Sequence, residues 1–272
     1  MAAVTRLVFV AQGRQAAVYR LDDTHVLKVP WVAMSRPQAH AVLQLIARLP
    51  GSHPNVVRVL RLATVEHKTG VLMEHIRGPT LTTLARTTMR RADMSAGVCW
   101  DVLHGLEYMH SHGVLHLDVA PDNVLFCVDT SLFVLIDVAL HRAEFTPSCM
   151  SPDRTHCEQS DTWSLGCTLL YVLTGTMPWT SCRDRIEVFV QLYAKRTPPE
   201  LQAVPSAWQP AMQGMLCTET ALRPTARDML HGKCKTEATS MRSVHSSRAY
   251  TYVSLATPDS TESVGADVDT VS

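Results

Sequence analysis

The periodicity of the apolar residues changes at Gly78-Pro79, and this change limits the folds open to the chain. Before it lie five short β-rich runs, at residues 4–11, 17–21, 25–29, about 56–65 and 70–75. They predict a small antiparallel meander, interrupted by one helix that opens at Pro37. After Gly78 the apolar spacing is mostly helical. A strand-rich part followed by a helix-rich part predicts an α+β fold with two lobes.

The helix-rich part carries its own pattern of elements. Helices are predicted at residues 95–111, 162–174, 185–194 and 205–217, and short strands at 114–117, 124–127 and 133–137. From about Lys233, roughly a third of the residues are Ser or Thr, which predicts disorder. We therefore divide the chain into a small lobe (1–76), a large lobe (77–232) and a disordered tail (233–272).

Charge and cysteine content limit the partners and the setting. Lys and Arg together number 25, as do Asp and Glu, so the net charge is zero and nucleic acid is not an expected partner. The longest apolar run, at residues 163–173, is too short to span a bilayer. Eight scattered cysteines without a CxxC pair favour a reduced, intracellular setting. We expect a monomer in the cytoplasm or nucleus.

Four polar residues carry the chemistry. Asp118 and Asn123 lie five residues apart in a loop after a predicted strand, and Asp137 ends an apolar strand. Lys28 lies on a strand that follows a loop around Gly13. One carboxylate can accept a hydroxyl proton, the other carboxylate and the amide can hold magnesium, and a lysine neutralises phosphate charge. Together these groups are the set that phosphoryl transfer requires.

In order and spacing, these residues resemble the signature of the eukaryotic-type protein kinases. Further matching segments, covering the small-lobe linker, the catalytic-loop helix and the buried-Asp helix, lie at residues 53–57, 105–118 and 161–166. Arg223 resembles the arginine that pairs with the acidic end of the activation segment, here Asp153. The resemblance covers nearly all of residues 4–232. It implies a bilobal kinase fold, with an antiparallel sheet and one helix in the small lobe and a mostly helical large lobe.

The resemblance also implies ATP and Mg²⁺ as cofactors and Ser/Thr hydroxyls of proteins as acceptors. Its catalytic residues are Asp118 as base, Lys28 and Asn123, with Asn123 and Asp137 as metal ligands. The implied nucleotide site comprises Val10, Ala11, Gly13, Ala16, Val18, Val26, Lys28, Met73, Glu74, Ile76, Leu125 and Asp137.

Within that site, the resemblance implies a place for each part of the nucleotide. Val26 and Leu125 sandwich the adenine, and Met73 closes the back of the pocket. Backbone groups of Glu74 and Ile76 meet the adenine edge.

Two departures from the family pattern affect the nucleotide site. Of the three usual loop glycines only Gly13 is present, because positions 11 and 16 are alanines, and we expect looser nucleotide cover. No acidic residue occurs between Asp23 and Glu66, and Val42 occupies the expected place of the helix glutamate. The nearest polar stand-ins are Gln38, His40 and Gln44. Lys28 is therefore expected to turn to a phosphate or to Asp137.

The catalytic loop departs from the pattern as well. Leu117 replaces the arginine that receives a phosphorylated activation loop, which predicts activity without that phosphorylation. Pro121 favours the Ser/Thr type, and Thr146 is expected to touch the catalytic Asp118. Ala120 removes the usual basic residue, and the resulting loop is similar to that of herpesvirus-encoded protein kinases. A viral chain of this kind acts inside its host cell.

Two alternatives remain beside an active protein kinase. A pseudokinase keeps the fold as a binding module, and the missing helix glutamate and altered glycines favour it. Retention of Lys28, Asp118, Asn123 and Asp137 together disfavours it, because a scaffold needs none of the four. A small-molecule kinase of the aminoglycoside type shares the His-x-Asp loop, but the peptide-docking segments argue against it.

Overall fold

The computed structural model describes residues 7–13, 16–87, 91–137, 146–152 and 156–232. The first part is a five-stranded antiparallel sheet whose strands are β1 (Val8–Gln12), β2 (Ala16–Arg20), β3 (His25–Pro30), β4 (Val59–Val65) and β5 (Lys68–Glu74). They lie in the order β1-β2-β3-β5-β4, which confirms the predicted antiparallel sheet. The predicted disordered tail and the first residues of the predicted first strand fall outside the described residues.

The remainder is mostly helical. After α1 (Arg36–Arg48) in the small lobe come α2 (Leu81–Thr87), α3 (Arg91–Ser111), α4 (Glu158–Thr174), α5 (Arg185–Tyr193), α6 (Gln209–Met215) and α7 (Ala226–Leu230). A hairpin of β6 (Val124–Cys127) and β7 (Leu132–Leu135) separates α3 from α4. Short 3₁₀ helices lie at Pro121–Asn123, Pro147–Cys149, Pro199–Ala203, Ser206–Trp208 and Thr220–Leu222. In the ranges that the structure describes, no helix is long and apolar enough to cross a bilayer.

Helices α3 and α4 form the centre of the large-lobe core. The predicted stripe of α3 is confirmed, because Val98, Val102, Leu106 and Met109 are all fully buried. Most residues of α4 are buried as well. This helix therefore packs against other elements around most of its circumference, whereas a surface helix buries one face. It ends at Gly175, whose φ of 81° is the left-handed conformation that glycine adopts without a Cβ clash.

Helix α1 is held in place by its ends and by one apolar face. Ser35 caps its N-terminus in a capping box with Gln38, and Val42 and Leu45 are buried. At its C-terminal end, the Arg48 guanidinium donates to the carbonyl of Gly113, 2.9 Å away in the loop after α3. The small-lobe helix is thus tied directly to the large lobe.

A second link between the lobes explains why β4 begins at Val59, three residues later than predicted. The Val57 N–H donates to the Leu135 carbonyl at 2.9 Å, and the Leu135 N–H donates to the Asn55 carbonyl at 2.8 Å. The Asn55 side chain adds a bond to the carbonyl of Phe133. Residues 55–57 therefore pair with β7 instead of extending β4.

The prediction of a strand at residues 114–117 is wrong. The N–H groups of His116 and Leu117 donate to the carboxylate of Asp161 on α4, at 2.8 and 2.6 Å. They therefore do not donate to the carbonyls of a neighbouring strand. Leu117 has a φ of 64°, a left-handed conformation that strands do not contain. The predicted helix at 205–217 is also shorter, because a 3₁₀ turn precedes α6, and α2 and α7 were not predicted.

We expect Asp161→Ala to destabilise the protein by about 3 kcal/mol or more, because it leaves the N–H groups of buried His116 and half-buried Leu117, and His110 Nε2, without their acceptor. Urea unfolding of the purified chain measures the loss. Asp161→Asn keeps one oxygen in place and is expected to lose less. An unfolding midpoint for the alanine variant equal to that of the parent would show that Asp161 does not hold the loop.

Candidate active site

Four of the residues predicted to surround the nucleotide share one face of the sheet. Val18 on β2 lies opposite Lys28 on β3, and Val26 lies opposite Met73 on β5. Residues directly opposite in an antiparallel pair share a face, as do residues two apart on one strand. Val18, Val26, Lys28 and Met73 therefore project to the same side, and Val26 and Met73 are buried there.

Strands β1 and β2 are paired antiparallel up to Gly13 and Ala16. The Gly13 N–H donates to the Ala16 carbonyl at 2.8 Å, and Ala11 pairs with Val18. Val10 lies in a bulge of β1 and is 48% exposed, unlike the buried Val26 and Met73. The carbonyl of Gly13 accepts a hydrogen bond of 3.1 Å from the indole of Trp31, which follows β3.

The segment after β5 links the two lobes and offers main-chain groups to a ligand. The Glu74 N–H donates to the Arg58 carbonyl at 2.9 Å, so only its carbonyl remains for the adenine edge. Within the described part of the chain, the Ile76 N–H has no hydrogen-bond partner and can donate to a base. Leu125 is half-buried on β6, where it bridges to Thr80 just beyond this segment.

Lys28 turns to Asp137. Its ammonium binds Asp137 Oδ1, and the Lys28 side chain is 17% exposed. Burial lowers the pKa of Lys28 to about 8, while the negative charge of Asp118 acts in the opposite direction. The ammonium is therefore still mostly charged at neutral pH. Asp137 itself has a φ of 64°, a conformation that is sparsely populated by residues other than glycine.

None of the polar stand-ins on α1 takes the place of the missing helix glutamate. Val42, at the expected position, is fully buried in the core. The Gln38 side chain accepts from the N–H of Ser35 at the helix start, and His40 and Gln44 bond each other at 2.9 Å on the surface. The helix therefore offers apolar packing and no carboxylate.

Asp118 lies at the centre of a small hydrogen-bond network. Its Oδ1 accepts from the Thr146 hydroxyl at 2.8 Å and from the Thr146 N–H at 3.1 Å, as predicted for this threonine. Its Oδ2 accepts from Asn123 Nδ2 at 2.8 Å, and the same amide nitrogen also binds the Asp118 carbonyl. The carboxylate is thus fixed in orientation while 3₁₀ helix Pro121–Asn123 holds the amide beside it.

His116 connects this network to the strand that carries Asp137. Its Nδ1 accepts from the Asp118 N–H at 3.3 Å, so Nε2 carries the proton and donates to the Ile136 carbonyl at 3.0 Å. Burial lowers the pKa of His116 and keeps the ring neutral. The Ile136 N–H donates to the Asn123 carbonyl at 2.9 Å. Asp118, Asn123 and Asp137 are thereby brought to one end of the β6–β7 hairpin.

Comparison with known proteins agrees with this arrangement. A family model described as a protein kinase domain matches residues 10–234. The chain belongs to the protein kinase family. This kinase domain is 25% identical over 252 residues to the serine/threonine-protein kinase STE20 of Saccharomyces cerevisiae, covering 85% of the chain and 27% of the yeast protein. It is 30% identical over 210 residues to mitogen-activated protein kinase kinase kinase 17 of Arabidopsis thaliana, covering 70% of the chain and 56% of that protein.

A solved structure shares the fold. The crystal structure of Rad53 1-466 in complex with AMP-PNP matches with a TM-score of 0.67 at 21% identity, covering 81% of this chain and 62% of that one. The kinase domain thus has the bilobal fold that the sequence predicted. It spans 27% of the length of the yeast relative and 56% of the length of the Arabidopsis relative.

Two parts of the site differ in how far they could be predicted. Trp31 was missed by the sequence analysis, because an exposed tryptophan after a strand carries no signal that it binds a loop 18 residues away.

Arg223 was predicted, and it donates to the Ser151 hydroxyl at 3.1 Å, which places it against the end of the activation segment. Its predicted partner Asp153 lies outside the described residues, as do the residues that follow Asp137.

We expect Trp31→Phe to weaken nucleotide binding by about 2- to 10-fold, because it removes one hydrogen bond, worth about 0.5–1.5 kcal/mol, that holds the loop at Gly13. Isothermal titration with a non-hydrolysable ATP analogue measures the affinity. Trp208→Phe is the matched control, since Trp208 lies in a 3₁₀ helix of the large lobe. Equal nucleotide affinities for the two variants would show that Trp31 does not contribute to nucleotide binding.

Proposed function

We propose that the chain transfers the γ-phosphoryl group of ATP to Ser or Thr hydroxyls of protein substrates. The observation that carries the proposal is the convergence of Asp118, Asn123 and Asp137 at one end of the β6–β7 hairpin, with Lys28 reaching them from the sheet. This is the residue set that phosphoryl transfer needs. The names of the yeast and Arabidopsis relatives support the same activity.

Asp118 is suited to act as the base. A substrate hydroxyl that approaches its carboxylate can transfer a proton to it as the oxygen attacks the phosphorus. Thr146 and Asn123 hold the two carboxylate oxygens by donating to them, so the group does not rotate. Lys28 and the sheet face above it supply charge and an apolar surface to the nucleotide.

The residues present also fit a magnesium ion. The Asn123 amide nitrogen is committed to Asp118, so its Oδ1 points the other way and is open to a cation. Asp137 adds a carboxylate, and Mg²⁺ prefers such oxygen ligands. When bound between these side chains, the ion would neutralise phosphate charge. The Asn123 and Asp137 side chains would hold it.

We also propose that the boundary between the two lobes lies between residues 76 and 77. We further propose that the protein is a monomer and that it acts inside the cell. The cysteine pattern supports that setting, because none of the seven cysteines in the described ranges forms a disulfide.

The second candidate function is that of a pseudokinase, a catalytically inactive scaffold that binds nucleotide. The observation that favours it is the absence of a helix carboxylate for Lys28, which leaves the lysine bound to Asp137. Such a scaffold binds ATP, raising its melting temperature, and transfers no phosphate. Incubation with labelled ATP and a generic acceptor protein separates the two functions.

We expect Asp118→Asn to lower the transfer rate by about 10²- to 10⁴-fold while nucleotide affinity is kept, because the amide retains the shape but cannot take the proton. Asp137→Asn is expected to lose magnesium-dependent nucleotide binding as well. Labelled-ATP transfer and titration calorimetry on both variants measure these effects. Equal loss of nucleotide binding in the two variants would show that the roles are misassigned.

We further expect activity to be independent of phosphorylation of the activation segment. Leu117 carries no charge with which to bind a phosphate, and its main chain is already held by Asp161. Phosphatase-treated protein should therefore keep its transfer rate. A loss of about tenfold, equivalent to about 1.4 kcal/mol of barrier, would contradict this.

A further inference from the structure

The ammonium of Lys28 needs a partner because its side chain is largely buried. At 17% exposure, an unpaired charge would lose most of its hydration without compensation. Helix α1 cannot supply the partner, since its residue at the expected place is the buried Val42 and no acidic residue occurs from 24 to 65. The Asp137 carboxylate takes that role instead.

The same carboxylate is the charged ligand that the proposed magnesium site depends on. Asn123 offers a neutral amide oxygen, so Asp137 supplies the negative charge that attracts a cation. With the Lys28 ammonium on Oδ1, a divalent cation at Asp137 meets a positive charge within a few ångströms. At that range the repulsion of like charges is large even in a polar environment.

We propose that Lys28 is an internal counter-cation that closes the cation site at Asp137 until a polyphosphate chain draws it away. This inference rests on the proposed function for its nucleotide and metal. The phosphate oxygens offer Lys28 a second anion, and its flexible four-carbon stem lets the ammonium move to them. Asp137 is then free for the cation. Nucleotide and cation therefore bind together, and the cation alone binds weakly.

The test measures Mn²⁺ binding to the nucleotide-free full chain, through the electron paramagnetic resonance signal of free Mn²⁺ at neutral pH. We expect Lys28→Met to bind Mn²⁺ at least about tenfold more tightly than the parent, because the competing charge is gone. Adding Asp137→Asn to that variant should abolish the gain. An affinity for Lys28→Met no higher than that of the parent overturns the proposal.

Lys68→Met is the matched control. Lys68 is half-buried on β5, with its ammonium 5.3 Å from the centroid of the Tyr19 ring. Its loss removes the same unit of charge from the same sheet, and we expect Mn²⁺ affinity to stay within about twofold of the parent. A gain equal to that of Lys28→Met would mean that net charge, not the ion pair, limits cation binding, and would also overturn the proposal.

A measurement on the unaltered chain covers the case in which Lys28→Met does not fold. Saturating Mn²⁺ should displace Lys28 and speed its reaction with an amine-labelling reagent, read by mass spectrometry, while labelling of Lys68 stays constant. An unchanged Lys28 rate overturns the inference. Neither experiment measures phosphate transfer, so a chain that shows the competition but transfers nothing keeps this inference and loses the proposed function.

Discussion

The buried carboxylate of Asp161 fixes the catalytic loop, and the rest of the site depends on it. The residue is fully buried on α4, and it accepts hydrogen bonds from the main chain of His116 and Leu117 and from His110. These bonds hold Leu117 in a left-handed conformation. The turn at Leu117 directs Asp118 toward Asn123 and Thr146, so a structural carboxylate in the large-lobe core sets the position of the chemical one.

The small lobe is aligned to that loop through main-chain bonds and one arginine side chain. Residues 55–57 pair with β7, whose end leads into Asp137, and Arg48 at the end of α1 binds the loop after α3. The helix thus keeps its position by apolar packing of Val42 and by these ties. In this kinase domain the contact between sheet and catalytic machinery is made by the Lys28–Asp137 pair, which crosses directly between the lobes.

The site pairs its lysine without the helix carboxylate. Burial lowers the pKa of His116 and keeps the ring neutral, so Lys28 is the cation beside the side chains of Asp118 and Asp137. Asp118 is oriented by donors from Thr146 and Asn123, and Asp137 is occupied by Lys28. The two acids therefore differ in their partners, in keeping with the separate roles proposed for them.

The sequence by itself determined that a strand-rich part precedes a helix-rich part, the buried stripe of α3, and the residue types of the site, because apolar periodicity and short motifs are local signals. It also showed that α1 holds no acidic residue. Only the tertiary structure decided that residues 114–117 form no strand, that Trp31 holds Gly13, and that Lys28 turns to Asp137. These outcomes depend on partners 45, 18 and 109 residues away in the chain, which only the packed lobes bring within hydrogen-bond distance.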